Sequence, residues 1–339
     1  MSFARTGLPA PLRPSLKRWT QHPGLVRAAG WGLFGVLAVT VLFPNFDVSL
    51  QDCLIRATPF VFCGLAVAVP ARAGLVNIGG EGQFAFAMVV VTAAVLLLGD
   101  TLGPSLLIPL LMGAGLVGGM LWSGIAALLR VTVKLNEALC TLLLNFVAPL
   151  VLAYFVFGPW RDKSSFNLPV SKVFPDAARL PTYGLTQLHL GIVFAIVAAV
   201  VVWVVLDLSR WGFRARVVGG NPEAARRAGL PVNRIVFVAL VAGGALAGLG
   251  GMVEVTGVEG VLRPNIGVGF GYIGFLASWL VGHRPLDLLG SSFLLGSISV
   301  AGDSLQINAG LPSTSVYVLM AVVLLLVLSI RGVATRRTS

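Results

Sequence analysis

The sequence predicts an all-α polytopic membrane protein with about ten transmembrane helices, and three observations carry that prediction. Apolar residues make up 57% of the 339 residues and charged residues only 11%, with a mean hydropathy of +0.92. No ordinary soluble domain has that balance. The apolar residues fall into ten runs, the longest of which can span a hydrocarbon core of ~30 Å as a helix. None alternates as the strands of a β-barrel do. The Lys and Arg residues lie between the runs, so the net charge of +11 reads as a set of topology determinants rather than a nucleic-acid surface.

Residues 1–30 carry Arg5, Arg13, Lys17, Arg18 and Arg27 with no acidic residue, as a basic cytoplasmic tail would. The run 31–43 has no small-residue cleavage pattern after it, so it reads as a first span rather than a signal peptide. Spans two to five are 53–69, 78–98, 106–129 and 138–157. A mixed loop, 158–187, holds four prolines. Spans six and seven, 188–206 and 235–255, flank a polar loop at 207–234. Spans eight and nine, 268–281 and 288–300, are short and Gly-rich, and the tenth is 316–330. A tail, 331–339, ends the chain, so one transmembrane domain covers 31–330.

Charge sets the orientation. With the N-terminus inside, only Arg56, Arg161, Lys163, Lys172, Arg179 and Arg263 fall outside, and the other 18 of the 24 Lys and Arg residues fall inside. That bias predicts N-in and C-in, with 158–187 periplasmic and 207–234 cytoplasmic. An internal echo accompanies it: NIGGEGQF at 77–84 resembles NIGVGFGY at 265–272, one before an outward span and the other before an inward span. Spans two to five and seven to ten would then be an inverted repeat.

The loop 207–234 contains six arginines and a well-marked short helix. Asn221 is a good N-cap and Pro222 suits the first helical position. Glu223 favours the positive helix start, and Ala224 and Ala225 are strong helix formers. Gly229 supplies the C-terminal stop and Pro231 prevents resumption. The product is a helix of roughly two turns outside the membrane, over 222–228. Its alanines keep it thin enough to enter a groove on a partner, and Arg226 and Arg227 offer charge at the rim. The plainer alternative is a capped surface helix whose arginines only set topology.

The stretch ARAGLVNIGGEGQF, 71–84, is the second candidate site. Its glycines weaken helix at a membrane boundary and permit unwinding. Asn77, Glu81 and Gln83 then put polar groups where hydrocarbon penalises them, which marks a cavity or a helix–helix contact. The alternative is an ordinary turn with solvated side chains. Asn145, inside the fifth span, either bonds across helices or reaches substrate. Gly115 and Gly119, with Gly243, Gly244, Ala247, Gly248 and Gly251, read as a structural seam of close helix packing. Glu254, Glu259 and Asp303 sit near span ends and read as solvated. Cys53, Cys63 and Cys140 have no ligand spacing, and no metal pattern or P-loop occurs.

Several of these segments resemble one family. Glu223, Ala224 and Ala225 followed by Gly229 look like the EAA…G signature of ABC-importer permeases. The run GGNPEAARRAGLPVNRI resembles the matching loop of nucleoside and ribose-type permeases of branched-chain type. RAGLVNIGGEGQF resembles their RAGxxNIGxEGQ segment, and KLNEALCTLLLNFVA (134–148) their NEVxxTxMLNxxA helix. GFGYIGFLASWLVGHRPL (269–286) resembles GFGFDGIAVALLGxxxPL, departing from it at Ile273 and Trp279.

The resemblance covers most of the chain beyond about residue 50. It implies the permease subunit of an ABC importer in a bacterial inner membrane, carrying nucleosides or related simple sugars. A cytoplasmic ATPase would use the ATP, docking on Asn221, Pro222, Glu223, Ala224, Ala225, Arg226 and Gly229. A second permease, paralogous or identical, would complete the pore, and a periplasmic or lipoprotein binding protein would deliver substrate. Asn77, Glu81, Gln83, Phe84, Asn145 and Phe270 are the expected path residues. The chain itself would bind no cofactor or metal and catalyse no reaction. The rival reading is an ion-coupled secondary transporter of a small polar solute, which would also have broken helices. The spans hold few acidic residues to carry a coupling ion.

Overall fold

The computed structural model describes residues 50–166, 168–184 and 187–309, with positions 318 and 322. The expected first span and both tails lie outside the described residues, as does the tenth span apart from those two positions. Every regular element among the described residues is helical. In chain order these are α1 (Leu50–Arg72), α2 (Gly80–Leu98), α3 (Pro104–Thr132), α4 (Glu137–Phe157) and α5 (Gly191–Trp203). Then come α6 (Arg210–Gly220), α7 (Pro222–Arg227), α8 (Val232–Glu254), α9 (Phe270–Leu280) and α10 (Asp287–Ala309). Wider π turns extend α5 through Leu208 and α8 through Glu259.

Six of these helices, counting the extensions, are long and apolar enough to cross a membrane. They match expected spans two to seven, and the protein is a multi-pass membrane protein.

α1 is the central helix. It is apolar all round, so it has no face to turn outward. Phe60, Phe62, Cys63, Leu65 and Ala66 are completely buried, among α5, α8, α9 and α10. The outer helices instead expose apolar rows. Leu121, Ile125 and Leu128 on α3, and Leu139, Leu143, Phe146 and Leu150 on α4, face away from the bundle. A soluble protein would hold polar residues there, whereas these rows suit lipid or another subunit.

α3 and α8 pack backbone to backbone along the glycine seam. A Cβ added to Gly115 would lie 2.8 Å from the Gly248 carbonyl oxygen, and one on Gly119 would overlap that of Gly244. Because the obstacle is backbone, no rotamer change relieves it. Gly119→Ala is therefore expected to destabilise the bundle by about 1–3 kcal/mol. Gly113→Ala, whose Cβ would meet nothing within 4 Å, should leave the thermal unfolding of the detergent-solubilised protein unchanged. Equal melting of the two variants would refute the seam.

The eighth expected span needs correction. α9 has only 11 residues and so rises about 16 Å, roughly half a hydrocarbon core. Neighbouring contacts fix its course. Phe270 meets Phe60 of α1, and Gly274 abuts Cys63 and Gly64. α9 therefore starts deep in the bundle and runs alongside α1 toward Arg72. α10 returns antiparallel to α1, with Leu288 at Gly64 and Gly296 at Ala57. The non-helical lead 260–269 precedes α9 in the stretch where a full helical span was expected.

Candidate functional site

α2 also starts inside the bundle. After α1 ends at Arg72, the chain unwinds over 73–79 and folds back along it, so that Asn77 Nδ2 donates to the Ala66 carbonyl at 3.0 Å. α2 then leaves toward the far end, where Gly99 abuts Pro175. Thus α2 and α9 point in opposite directions from one junction, and the two echoing octapeptides meet there. Glu81 joins them. Its carboxylate accepts hydrogen bonds from the Gly269 and Gly271 N–H groups at 2.7 and 2.8 Å. The first amides of a helix have no internal acceptor, and a carboxylate there also suits the helix dipole.

The remaining polar groups of the junction satisfy one another. The Asn77 and Gln83 amides exchange two hydrogen bonds, at 3.1 and 3.0 Å. Gly79 N–H donates to Asn77 Oδ1 at 3.0 Å. Asn145 Oδ1 accepts from Gly82 N–H at 2.9 Å, while its Nδ2 donates to the Ile78 carbonyl at 2.9 Å and to the Tyr272 hydroxyl at 3.3 Å. Thr141 accepts from Ile78 N–H, and Glu137 from Val76 N–H. Glu137, Thr141 and Asn145 recur every fourth residue, so they form one stripe down α4. That spacing is the signal by which Glu137 and Thr141 could have been singled out beside Asn145.

Of the six expected path residues, five are packed in or against the junction. Asn77 is 0% and Gln83 1% exposed, and Glu81, Phe84 and Asn145 are buried too. The sixth, Phe270, reaches a cavity of about 490 Å³ at the far end of α1. Its ring meets Phe60 edge-on at 5.2 Å and Phe84 at 6.0 Å, and the Arg56 guanidinium lies 5.5 Å above it. Arg56 also pairs with Asp303 at 2.7 Å. Arg263 grips Glu259 with two hydrogen bonds of 3.0 and 2.9 Å.

Glu254 lines the same cavity and is only 5% exposed, which corrects the expectation of a solvated side chain. Asp303 and Glu259 are ion-paired rather than simply solvated. Nothing local in the sequence joins these residues, which come from α1, α8 and its extension, the lead 260–269, α9 and α10.

The opposite end carries the short helix. α5 and its extension separate the two ends, and Arg72 at the close of α1 pairs with Asp207, which also receives Arg216 at 3.2 Å. Asn221 Oδ1 accepts from the Glu223 and Ala224 N–H groups at 3.1 and 3.0 Å. The helix ends at Arg227, one residue earlier than expected, and Gly229 adopts φ +81°. Glu223 pairs with Arg226 at 2.8 Å on the exposed surface. Ala224, Arg226 and Arg227 face outward, whereas Ala225 is 1% exposed. Ala225 packs with Ala215, Val218 and Val232 in a small cluster of its own chain.

A sequence profile for the permease component of the branched-chain amino acid transport system matches residues 49–328. The chain belongs to this family. It is 33% identical over 307 residues to the glucose ABC transporter permease protein TsgB13 of Haloferax volcanii, a match covering 87% of this chain and 80% of that one. The guanosine ABC transporter permease protein NupP of Bacillus subtilis is 31% identical over 286 residues, 81% of this chain and 79% of that one. A second guanosine permease protein of the same organism, NupQ, is 26% identical over 297 residues, 84% and 92% of the two chains. The chain is thus an ABC transporter permease, a transport subunit rather than a catalytic one. In this permease the matched region contains the junction, the cavity and the α7 loop.

Proposed function

We propose that this permease imports nucleosides or related simple sugars across a bacterial inner membrane, driven by ATP hydrolysed on a partner ATPase. The observation that carries the coupling half of this reading is α7, capped at both ends and presenting an exposed face at the end opposite the cavity. The names of the relatives, guanosine and glucose permeases, support the substrate class. A cavity of about 490 Å³ lies within the ~300–1,000 Å³ usual for small-molecule sites. Phe270 is the path residue at its base. Asn77, Glu81, Gln83, Phe84 and Asn145 brace the wall behind it.

Asn221, Pro222, Glu223, Ala224, Arg226 and Gly229 form or shape the docking helix, and Ala225 seats it. A binding protein delivers substrate, and a second permease, paralogous as with NupP and NupQ or a second copy, completes the pore. The meeting of α2 and α9 supports an inverted repeat of spans two to five and seven to ten. Such a repeat rocks about a fixed junction during alternating access.

The test is uptake into vesicles holding the assembled transporter, with ATP on the ATPase side and the proton gradient collapsed by an uncoupler. Guanosine or glucose should still accumulate, and should stop when ATP is withheld. Accumulation driven by an imposed ion gradient without ATP would overturn the reading in favour of a secondary transporter.

The topology rests on the charge bias, N-in and C-in with ten spans. A reporter fused after Ser339 should behave as cytoplasmic and one inserted at Ser164 as exported. A C-terminal fusion active outside the cell refutes the span count.

A further inference from the structure

We propose that Glu254 is the residue through which the cavity reads its cargo, accepting hydrogen bonds from the vicinal hydroxyls of a sugar ring. This rests on the transport reading above and adds to it a specific chemistry and a specific atom group.

The charges of the cavity leave Glu254 without a partner. Both cations in the lining are committed, Arg56 to Asp303 and Arg263 to Glu259. Asp52 is exposed to solvent. Glu254 lies in the same lining and is 5% exposed. Yet it makes no hydrogen bond or ion pair among the described residues. A carboxylate only accepts, and a buried one without donors is costly. Among the described residues the cavity thus has an acceptor to spare and no cation outside an ion pair. A neutral ligand rich in hydroxyl donors satisfies Glu254 without breaking either ion pair.

Two adjacent hydroxyls match the two oxygens of one carboxylate, the contact by which an acidic side chain reads ribose in dinucleotide-binding folds. Vicinal hydroxyls are also what nucleosides and simple sugars share. Phe270, in the same lining, offers an apolar ring to the base or to the C–H face of the sugar.

The experiment compares wild type and Glu254→Gln in the complete transporter, with guanosine and 2′,3′-dideoxyguanosine as probes. Any preference of the binding protein for hydroxyls affects both permeases equally and cancels in the ratio. Guanosine uptake should fall about tenfold or more in the variant, the loss expected of a charge-assisted hydrogen bond. Uptake of the dideoxy analogue should be the same in both.

The proposal is overturned by equal losses for the two probes, or by no loss for either. Failure of Glu254→Gln to assemble with the ATPase would also overturn it, since the residue would then be structural. A wild-type transporter that imports neither guanosine nor glucose sinks the substrate reading itself, which is a separate outcome.

Discussion

Glu81→Ala is expected to reduce transport at least 100-fold while the ATPase still co-purifies. The reason lies in the two amides at the start of α9. In the native junction Gly269 and Gly271 donate to one carboxylate. An unpaired buried donor costs about 1–3 kcal/mol; the Gly271 N–H is buried and that of Gly269 partly so, and the favourable charge at the helix start is lost as well.

The rest of the first turn is held by Phe270 against Phe60 and Phe84 and by Tyr272 at Asn145. α9 should fray or shift, and Phe270, the first residue of that helix, moves with it. Glu81→Gln keeps one good acceptor but turns its amide nitrogen toward the second N–H. It should fall between wild type and Ala in both uptake and melting temperature. In the α7 cluster Ala225 packs with Ala215, Val218 and Val232, and Glu81 is not part of it, so ATPase binding should survive. If Glu81→Ala melts and transports like wild type, the junction does not hold α9 in place.

What could be read from the sequence depended on how local the cause was. The loop helix is set by letters within nine positions of one another, from the Asn221 cap to the Gly229 stop, and its ends came within one residue. Spans two to seven are set by length and apolarity, which the sequence displays directly. α9 was harder, because GFGYIGFLASWLV has the same composition whether its helix begins at the surface or halfway across.

The placement of Glu254 was harder still. It closes the apolar helix α8 where the π turns begin, and nothing in GGMVEVTG tells which way its side chain points. The cavity it lines also takes Arg56, Phe270 and Asp303 from elements up to 247 positions apart, so only the packed bundle brings it into being. Ala224 and Ala225 show the same limit on a smaller scale. Adjacent alanines are equivalent as helix formers, but one faces out and the other is buried.

That difference gives the second large effect. Ala224→Trp should abolish ATPase co-purification and substrate-stimulated ATP hydrolysis while the permease alone melts normally. Its position is exposed, so an indole there meets nothing in the chain itself and obstructs only a groove that must receive the helix. Ala225→Trp should also lose the ATPase, but for a different reason. Its site is filled by Ala215, Val218 and Val232, and forcing extra volume into such packing costs about 1–3 kcal/mol or more.

Ala225→Trp should therefore lower the melting temperature of the isolated permease, as Ala224→Trp does not. Gly229→Val should lie between them, straining a φ of +81° by roughly 1 kcal/mol or more without a steric clash. In all three variants the cavity is untouched, so delivery by the binding protein should be unaffected while uptake falls with ATP hydrolysis. If Ala224→Trp leaves co-purification and uptake at wild-type levels, the exposed face of α7 does not dock. Energy would then have to reach the bundle through some other contact.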